Sequence, residues 1–165
     1  MSDASEDTSL CGRCTCGSVR YRLAAAPMFV HCCHCTWCQR ETGSAFAINA
    51  LLESGHLVVE EGDVELVDTP SASGRGQQIA RCPRCRVALW SHYAGMGSAA
   101  SFVRVGTLNE PWRAPPDIHI FVSTKQPWVV LPDGVPQVQE YYRAAEHWPE
   151  ASLARRKALQ DARSA

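Results

Sequence analysis

A chain of 165 residues, 45% hydrophobic and 20% charged, has the size and balance of one globular domain with its own apolar core. Sixteen basic and seventeen acidic residues leave a formal net charge of −1, which excludes a global field drawing the chain to nucleic acid or to an anionic membrane. No apolar run approaches the roughly 20 residues of a membrane-spanning helix, and the acidic opening "MSDASEDTSL" lacks the features of a secretory signal.

In chain order, residues 1–10 read as a disordered leader. "CTCGSVRYRL" (14–23) alternates as a strand, with Val19, Tyr21 and Leu23 on one face and the Cys14 and Cys16 thiols pointing the same way. After Pro27, "MFVHCC" reads as a second strand, and "TWCQRETG" as a helical turn ended by Gly43. "AFAINALL" and "HLVVEE" are strand-like on either side of a turn at "ESG"; "VELVDT" follows, then the loop "PSASGRG". "QQIARC" leads into "CPRC", and "VALWSHY", "SFVRVG" and "DIHIFV" are further strands, rich in β-branched and aromatic residues. Pro127, Pro132, Gly134 and Pro136 make 127–136 irregular. Pro149 and Glu150 open a helix over "PEASLARRKALQDA". Its apolar face is thin, with Ala151, Ala154, Ala158 and Ala162 in line and Leu153 and Leu159 to the sides, so it is expected to pack loosely on the surface. The expected fold is therefore mostly β: one domain over 11–148, with a C-terminal helix over 149–165 packed on it.

Without a secretory signal the expected location is cytoplasmic, where thiols stay reduced. Nine clustered cysteines there point to metal rather than disulfides or scattered core packing. Cys14/Cys16 (C-x-C) and Cys82/Cys85 (C-x-x-C) supply four thiolates, the donor set of a closed structural zinc site that clips distant segments together. "HCCHCTWCQR" (31–40) holds Cys33, Cys35 and Cys38, three thiolates from one short segment, which is the arithmetic of an open, catalytic zinc site. Cys11 and Cys32 are left over; Cys32, His34 or Cys11 could instead close that sphere and make both sites structural. His34, between two ligands on an extended segment, should point away from the metal, and His31 alternates with Cys32. His119, inside an apolar strand, reads as a hydrogen-bonded core residue, and the five tryptophans as packing.

"GRCTCGSVRYRL", "CHCTWCQRETGSAFA", "CPRC", "VGTLNEP", "PDIHIFVSTKQPWVVLPDGVPQ" and "HWPEASLARRKAL", in that order, resemble the glutathione-dependent formaldehyde-activating (Gfa) family, which includes the centromere protein V relatives. The resemblance implies a zinc-containing β-tent of short antiparallel sheets. It implies two zinc ions per chain, a structural one on Cys14, Cys16, Cys82 and Cys85 and a catalytic one on Cys33, Cys35 and Cys38. The implied activity is that of a carbon–sulfur lyase, joining glutathione and formaldehyde as S-(hydroxymethyl)glutathione. The chain departs from the family pattern around the later C-x-x-C, with Arg81 where Phe is usual and Arg86 where Gly is usual. Gly there permits a positive φ without strain.

An open zinc position can hold a foreign thiol as thiolate, the nucleophilic form, beside a small aldehyde. A fourth thiolate would bring the site to −2, and Arg40 with the amides around Gly43 and Ser44 are the expected compensating donors, although Arg40 could equally be a solvated surface residue. The expected partners are thus glutathione or a similar thiol and a small aldehyde, with no nucleic acid and no membrane. Two other functions fit the same cysteines: a non-catalytic zinc-stabilised binding module, or a redox sensor in which Cys35 and Cys38 release zinc and form a disulfide.

Overall fold

The computed structural model describes residues 9–164, and its elements follow the alternation of the sequence. In chain order they are β1 (Leu10–Arg13), β2 (Arg20–Leu23), β3 (Phe29–Cys33), α1 (Thr36–Thr42), β4 (Ala47–Glu53), β5 (Leu57–Glu61), β6 (Glu65–Thr69), β7 (Gln77–Arg81), β8 (Ala88–Tyr93), β9 (Ala100–Arg104), β10 (Ile118–Ile120), α2 (Ala144–His147) and α3 (Glu150–Ser164). The strands form a small sheet, β1-β2-β5, and a large one, β10-β3-β4-β9-β8-β7-β6. The molecule is therefore mostly β, with two sheets and a C-terminal helix.

Four sequence expectations need correction. Residues 14–23 are not one strand. β1 and β2 form an antiparallel hairpin, and the C-x-C motif is its turn: Gly17 takes φ 76° and donates its N–H to the Cys14 carbonyl at 3.1 Å, while the Cys14 N–H reaches Val19 O at 3.1 Å. The expected leader lies outside the described residues up to residue 8, but Leu10 is already buried and opens β1. The sheets are not wholly antiparallel: β10 pairs parallel with β3, setting His119 opposite Cys32. The long path that a parallel pair requires is supplied here by the whole chain between the two strands. On α3 the alanines are exposed; Ser152, Leu153 and Leu159 face the body instead, because two leucines bury more apolar area than four methyl groups.

Two apolar clusters make the core. One gathers Val19, Tyr21, Leu23, Leu52, Leu89 and Val103 between the sheets. Tyr21 is fully buried; Thr107 donates to the Arg104 carbonyl at 2.8 Å, so the Tyr21 hydroxyl donates to Thr107 Oγ1 at 2.6 Å. Gly12 allows this, since a Cβ there would lie 2.3 Å from the Tyr21 ring. The second cluster holds Phe29, Leu51, Ile118, Ile120 and Trp148 beside Cys33, Cys35 and Cys38. α3 docks on its edge: Ser152 Oγ donates to Met28 O at 2.6 Å, and Arg155 binds Glu53 through Nε at 2.8 Å and Nη2 at 2.5 Å.

Candidate metal centres and the cavity beside them

The two sheets meet at a four-thiol cluster. Cys14 and Cys16 come from the β1–β2 turn of the small sheet, and Cys82 and Cys85 from the β7–β8 connection of the large one. All four Sγ atoms lie within 4.8 Å of one another, with Cys14–Cys16 at 3.5 Å and Cys16–Cys82 at 3.7 Å. Zinc–thiolate bonds of about 2.3 Å put tetrahedral sulfurs about 3.8 Å apart, so the donor set fits zinc. The chain also stabilises thiolates here: Val19 N donates to Cys14 Sγ at 3.3 Å, and Ser18 Oγ lies 3.0 Å from Cys16 Sγ and 3.2 Å from Cys82 Sγ. The Ser18 hydroxyl is the main cause that brings the Cys82 thiol down to about 5 and lowers Cys16 as well.

Arg86 closes the second knuckle in the left-handed region, φ 63°, with its N–H on the Cys82 carbonyl at 2.9 Å. It adopts the geometry that glycine would take without cost. Its guanidinium pairs with Glu65. Arg81, the other departure, pairs with Glu41 of α1 and donates to Arg86 O at 3.1 Å, bracing the knuckle against the neighbouring helix.

α1 builds the three-thiol cluster. Cys33 ends β3; Cys35 is the N-cap of α1, accepting from Cys38 N at 3.4 Å; Cys38 lies one turn in. Gly43 ends the helix in the left-handed conformation, donating to Gln39 O at 2.9 Å. The three Sγ atoms lie within 4.8 Å of one another, a spacing that three zinc-bound thiolates can adopt. The thiols share protons unequally. Hydrogen bonds from Cys33 and Cys38 hold Cys35 far below the usual thiol range, while the same contact to Cys35, with burial, pushes Cys33 up.

A cavity of about 610 Å³ opens beside these sulfurs. One wall is aromatic. Trp148 Nε1 donates to Tyr142 Oη at 2.7 Å, which in turn donates to His31 Nε2 at 2.7 Å. Burial takes His31 down to about 4, so it stays neutral. On the same sheet face, Asn49 pairs with His31 on one side and with Arg104 on the other; Arg104 is only 7% exposed, bonded to Asn49 and donating from Nη2 to Ser91 Oγ at 3.0 Å. No carboxylate pairs with it among the described residues. Cys38 is pushed up to about 12: Cys33's hydrogen bond lowers it, Cys35 and burial outweigh that, and Arg104's charge pulls it back down.

Arg40, Gly43 and Ser44 stand elsewhere: all three are exposed and none lines the cavity. Cys11 is exposed on β1. Cys32, His34 and His119 lie together, apart from both cysteine sets. Sequence reasoning missed Arg104, Asn49 and the His31–Tyr142–Trp148 wall. The one available signal was an arginine on the same strand face as Phe102 within "SFVRVG", a charge where alternation places an inward side chain.

The family model described as glutathione-dependent formaldehyde-activating enzyme matches residues 9–124, most of the chain and all seven cysteines of the two sets. The chain belongs to this family. A relative from Halomonas elongata, provisionally named a glutathione-dependent formaldehyde-activating enzyme, is 25% identical over 147 residues, covering 87% of this chain and 90% of its own length. A solved structure of a Rhodobacter sphaeroides protein is 20% identical, with a TM-score of 0.44, over 60% of this chain and 87% of the other. No helix among the described residues is long and apolar enough to cross a membrane.

Proposed function

We propose that this Gfa-family chain is a zinc-dependent enzyme of the carbon–sulfur lyase type, which adds glutathione or a similar thiol to formaldehyde or another small aldehyde. The observation that carries the reading is the position of the Cys33–Cys35–Cys38 cluster at the wall of a cavity of about 610 Å³, large enough for a tripeptide thiol. Cys14, Cys16, Cys82 and Cys85 would hold a structural zinc between the sheets, and Cys33, Cys35 and Cys38 a second, catalytic one. Nine free thiols and a thiol substrate suit a reducing, cytoplasmic setting.

A zinc ion held by Cys33, Cys35 and Cys38 would supply one open position at which an incoming thiol is favoured as the thiolate. The chain does the rest. Arg104, fixed by Asn49 and Ser91, places a buried positive charge in the cavity that takes up the added thiolate. Burial keeps His31 neutral, and the Trp148–Tyr142–His31 hydrogen bonds fix the aromatic rings of that wall, which limit water around the sulfur. The sulfur forms the new bond to the carbonyl carbon, the C=O π pair moves to oxygen, and that oxygen takes a proton from solvent. The thiol's own proton goes to solvent as the thiolate forms.

X-ray absorption at the zinc edge, with and without glutathione, tests this reading. It expects the mean sulfur count per zinc to rise on addition of glutathione, and S-methylglutathione, which cannot form a thiolate, to leave it unchanged. An unchanged count at saturating glutathione, together with formaldehyde loss no faster than in buffer, rejects it and leaves a non-catalytic zinc module.

A further inference from the structure

Side chains alternate across β3, so His31 and Cys33 enter the cavity while Cys32 and the following His34 enter the other side of the sheet. There they meet His119, which β10 brings alongside through the parallel pairing. His34 Nε2 lies 3.5 Å from Cys32 Sγ and 3.0 Å from His119 Nδ1, and the three donor atoms all lie within 4.8 Å of one another. The trio is 1%, 0% and 6% exposed in chain order 32, 34, 119. The backbone around it is pinned: His34 N donates to Ile120 O at 3.0 Å, and His34 O accepts from Gln39 Nε2 at 2.7 Å and Thr124 Oγ1 at 3.1 Å.

We propose that Cys32, His34 and His119 form a third metal site, separate from both cysteine sets, which binds one soft or borderline d10 ion, Cu⁺ or Zn²⁺. Bonds of about 2.0–2.1 Å to nitrogen and 2.3 Å to sulfur put tetrahedral donors about 3.4 Å (N to N) and about 3.6 Å (N to S) apart, against 3.0 Å between His34 Nε2 and His119 Nδ1 and 3.5 Å between His34 Nε2 and Cys32 Sγ. Hydrogen bonding alone serves the trio poorly. His34 Nδ1 is buried without a partner, so whichever nitrogen carries the proton, one polar atom is unsatisfied at a cost of roughly 1–3 kcal/mol. Among the described residues, the one hydrogen bond of the Cys32 sulfur is then a weak one to His34. A metal bond at His34 Nε2 would engage all three donors at once, with the His34 proton on Nδ1. On uptake the Cys32 S–H bond is exchanged for a metal–sulfur bond, one proton goes to solvent, and no electron moves.

Charge favours Cu⁺ of the two. One thiolate and two neutral imidazoles around Cu⁺ sum to zero, which a water-free site holds at least cost, and thiolate with imidazole is a donor set that copper takes. Zn²⁺ would leave +1 and would draw in a fourth donor.

The test uses reduced, full-length protein carrying two zinc ions per chain. It is titrated without oxygen with Cu⁺ in one arm and Zn²⁺ in the other, and bound zinc is measured throughout. The site predicts one further equivalent bound, and X-ray absorption at the copper edge showing one sulfur and two nitrogen neighbours. Cys32→Ser and His119→Gln should abolish the extra equivalent and keep the first two zinc ions. Uptake in the copper arm alone assigns the site to Cu⁺; uptake in both arms assigns it to either d10 ion. No further equivalent in either arm overturns the proposal, as does copper with only sulfur neighbours and zinc released. The wild-type neighbour count decides the matter even if neither variant folds.

Discussion

Arg104 and Asn49 face each other across β4 and β9, and the Arg104 guanidinium bonds the Asn49 side-chain oxygen. The pairing aims a fixed positive charge into the cavity before any substrate arrives. Arg104→Gln should therefore weaken binding of the thiolate rather than of the neutral thiol. We expect glutathione affinity at pH 7 to fall about tenfold, and the pH at which binding rises to move up by about one unit. Arg104→Lys should restore part of the shift. Titration calorimetry at several pH values measures both, and an unmoved pH profile would confine Arg104 to a packing role.

Cys82 and Cys38 should fail differently. Cys82 belongs to the cluster that joins the two sheets, so Cys82→Ser should cost several kcal/mol and its structural metal. Cys38 lies on a short helix at the cavity, and Cys38→Ser should cost about 1 kcal/mol or less while losing the second zinc. Thermal melts and metal analysis on both variants check this; equal damage would reject the division between the sites.

Glu53 ties β4 to α3 through Arg155. Burial pushes its carboxyl up, but the Arg155 hydrogen bonds and charge, among other contacts, outweigh that and leave it lowered. A lowered carboxylate contributes stability above its unfolded value and loses it as pH falls through the folded one. The side chains are 31% (Arg155) and 18% (Glu53) exposed, so we expect about 0.5–1 kcal/mol. Glu53→Gln should be less stable than the parent at pH 7, and the difference should be lost in acid, once pH has fallen through the carboxyl's lowered range. Denaturant titrations at pH 7 and in acid compare them.

Arg86 holds φ 63° although it is not glycine. Arg86→Gly should relieve the left-handed strain and stabilise the fold by about 1 kcal/mol. The lost pair with Glu65 is 63% exposed at the arginine and 48% at the glutamate and should subtract little. A lower melting temperature would show that the ion pair matters more than the backbone.

Most strands were legible because each carries a local signal. β3, β4 and β8 show β-branched or aromatic runs bounded by turn residues, and Gly43 marked the end of α1. The hairpin at Cys14–Ser18 was not legible, because alternation continues through "CTCGSV" and only Gly17, with its positive φ, reveals the turn. The seven cysteines of the two sets were legible from spacing, and their convergence depends on which strands pair. Arg104 was not legible as a cavity residue, nor was the meeting of Cys32 and His34 with His119. Arg104 meets Asn49 across 55 positions and His34 meets His119 across 85, and no local pattern encodes contacts set by sheet order. The face of α3 was misread because its alanines line up while Leu153 and Leu159 decide the docking.

The alternation of β3 also bears on how the chain folds. A one-residue slip against β4 and β10 would carry Cys32 and His34 into the cavity and expel Cys33 from it, since side chains change face with every step. An unfolded chain offers Cys32, Cys33 and Cys35 to any ion without distinction, and an ion caught early freezes whichever partnership it finds. Refolding in excess zinc should therefore return less native protein than refolding in a chelator with zinc added afterwards. That outcome would mean that the register of five strand residues has to be set before the metal arrives.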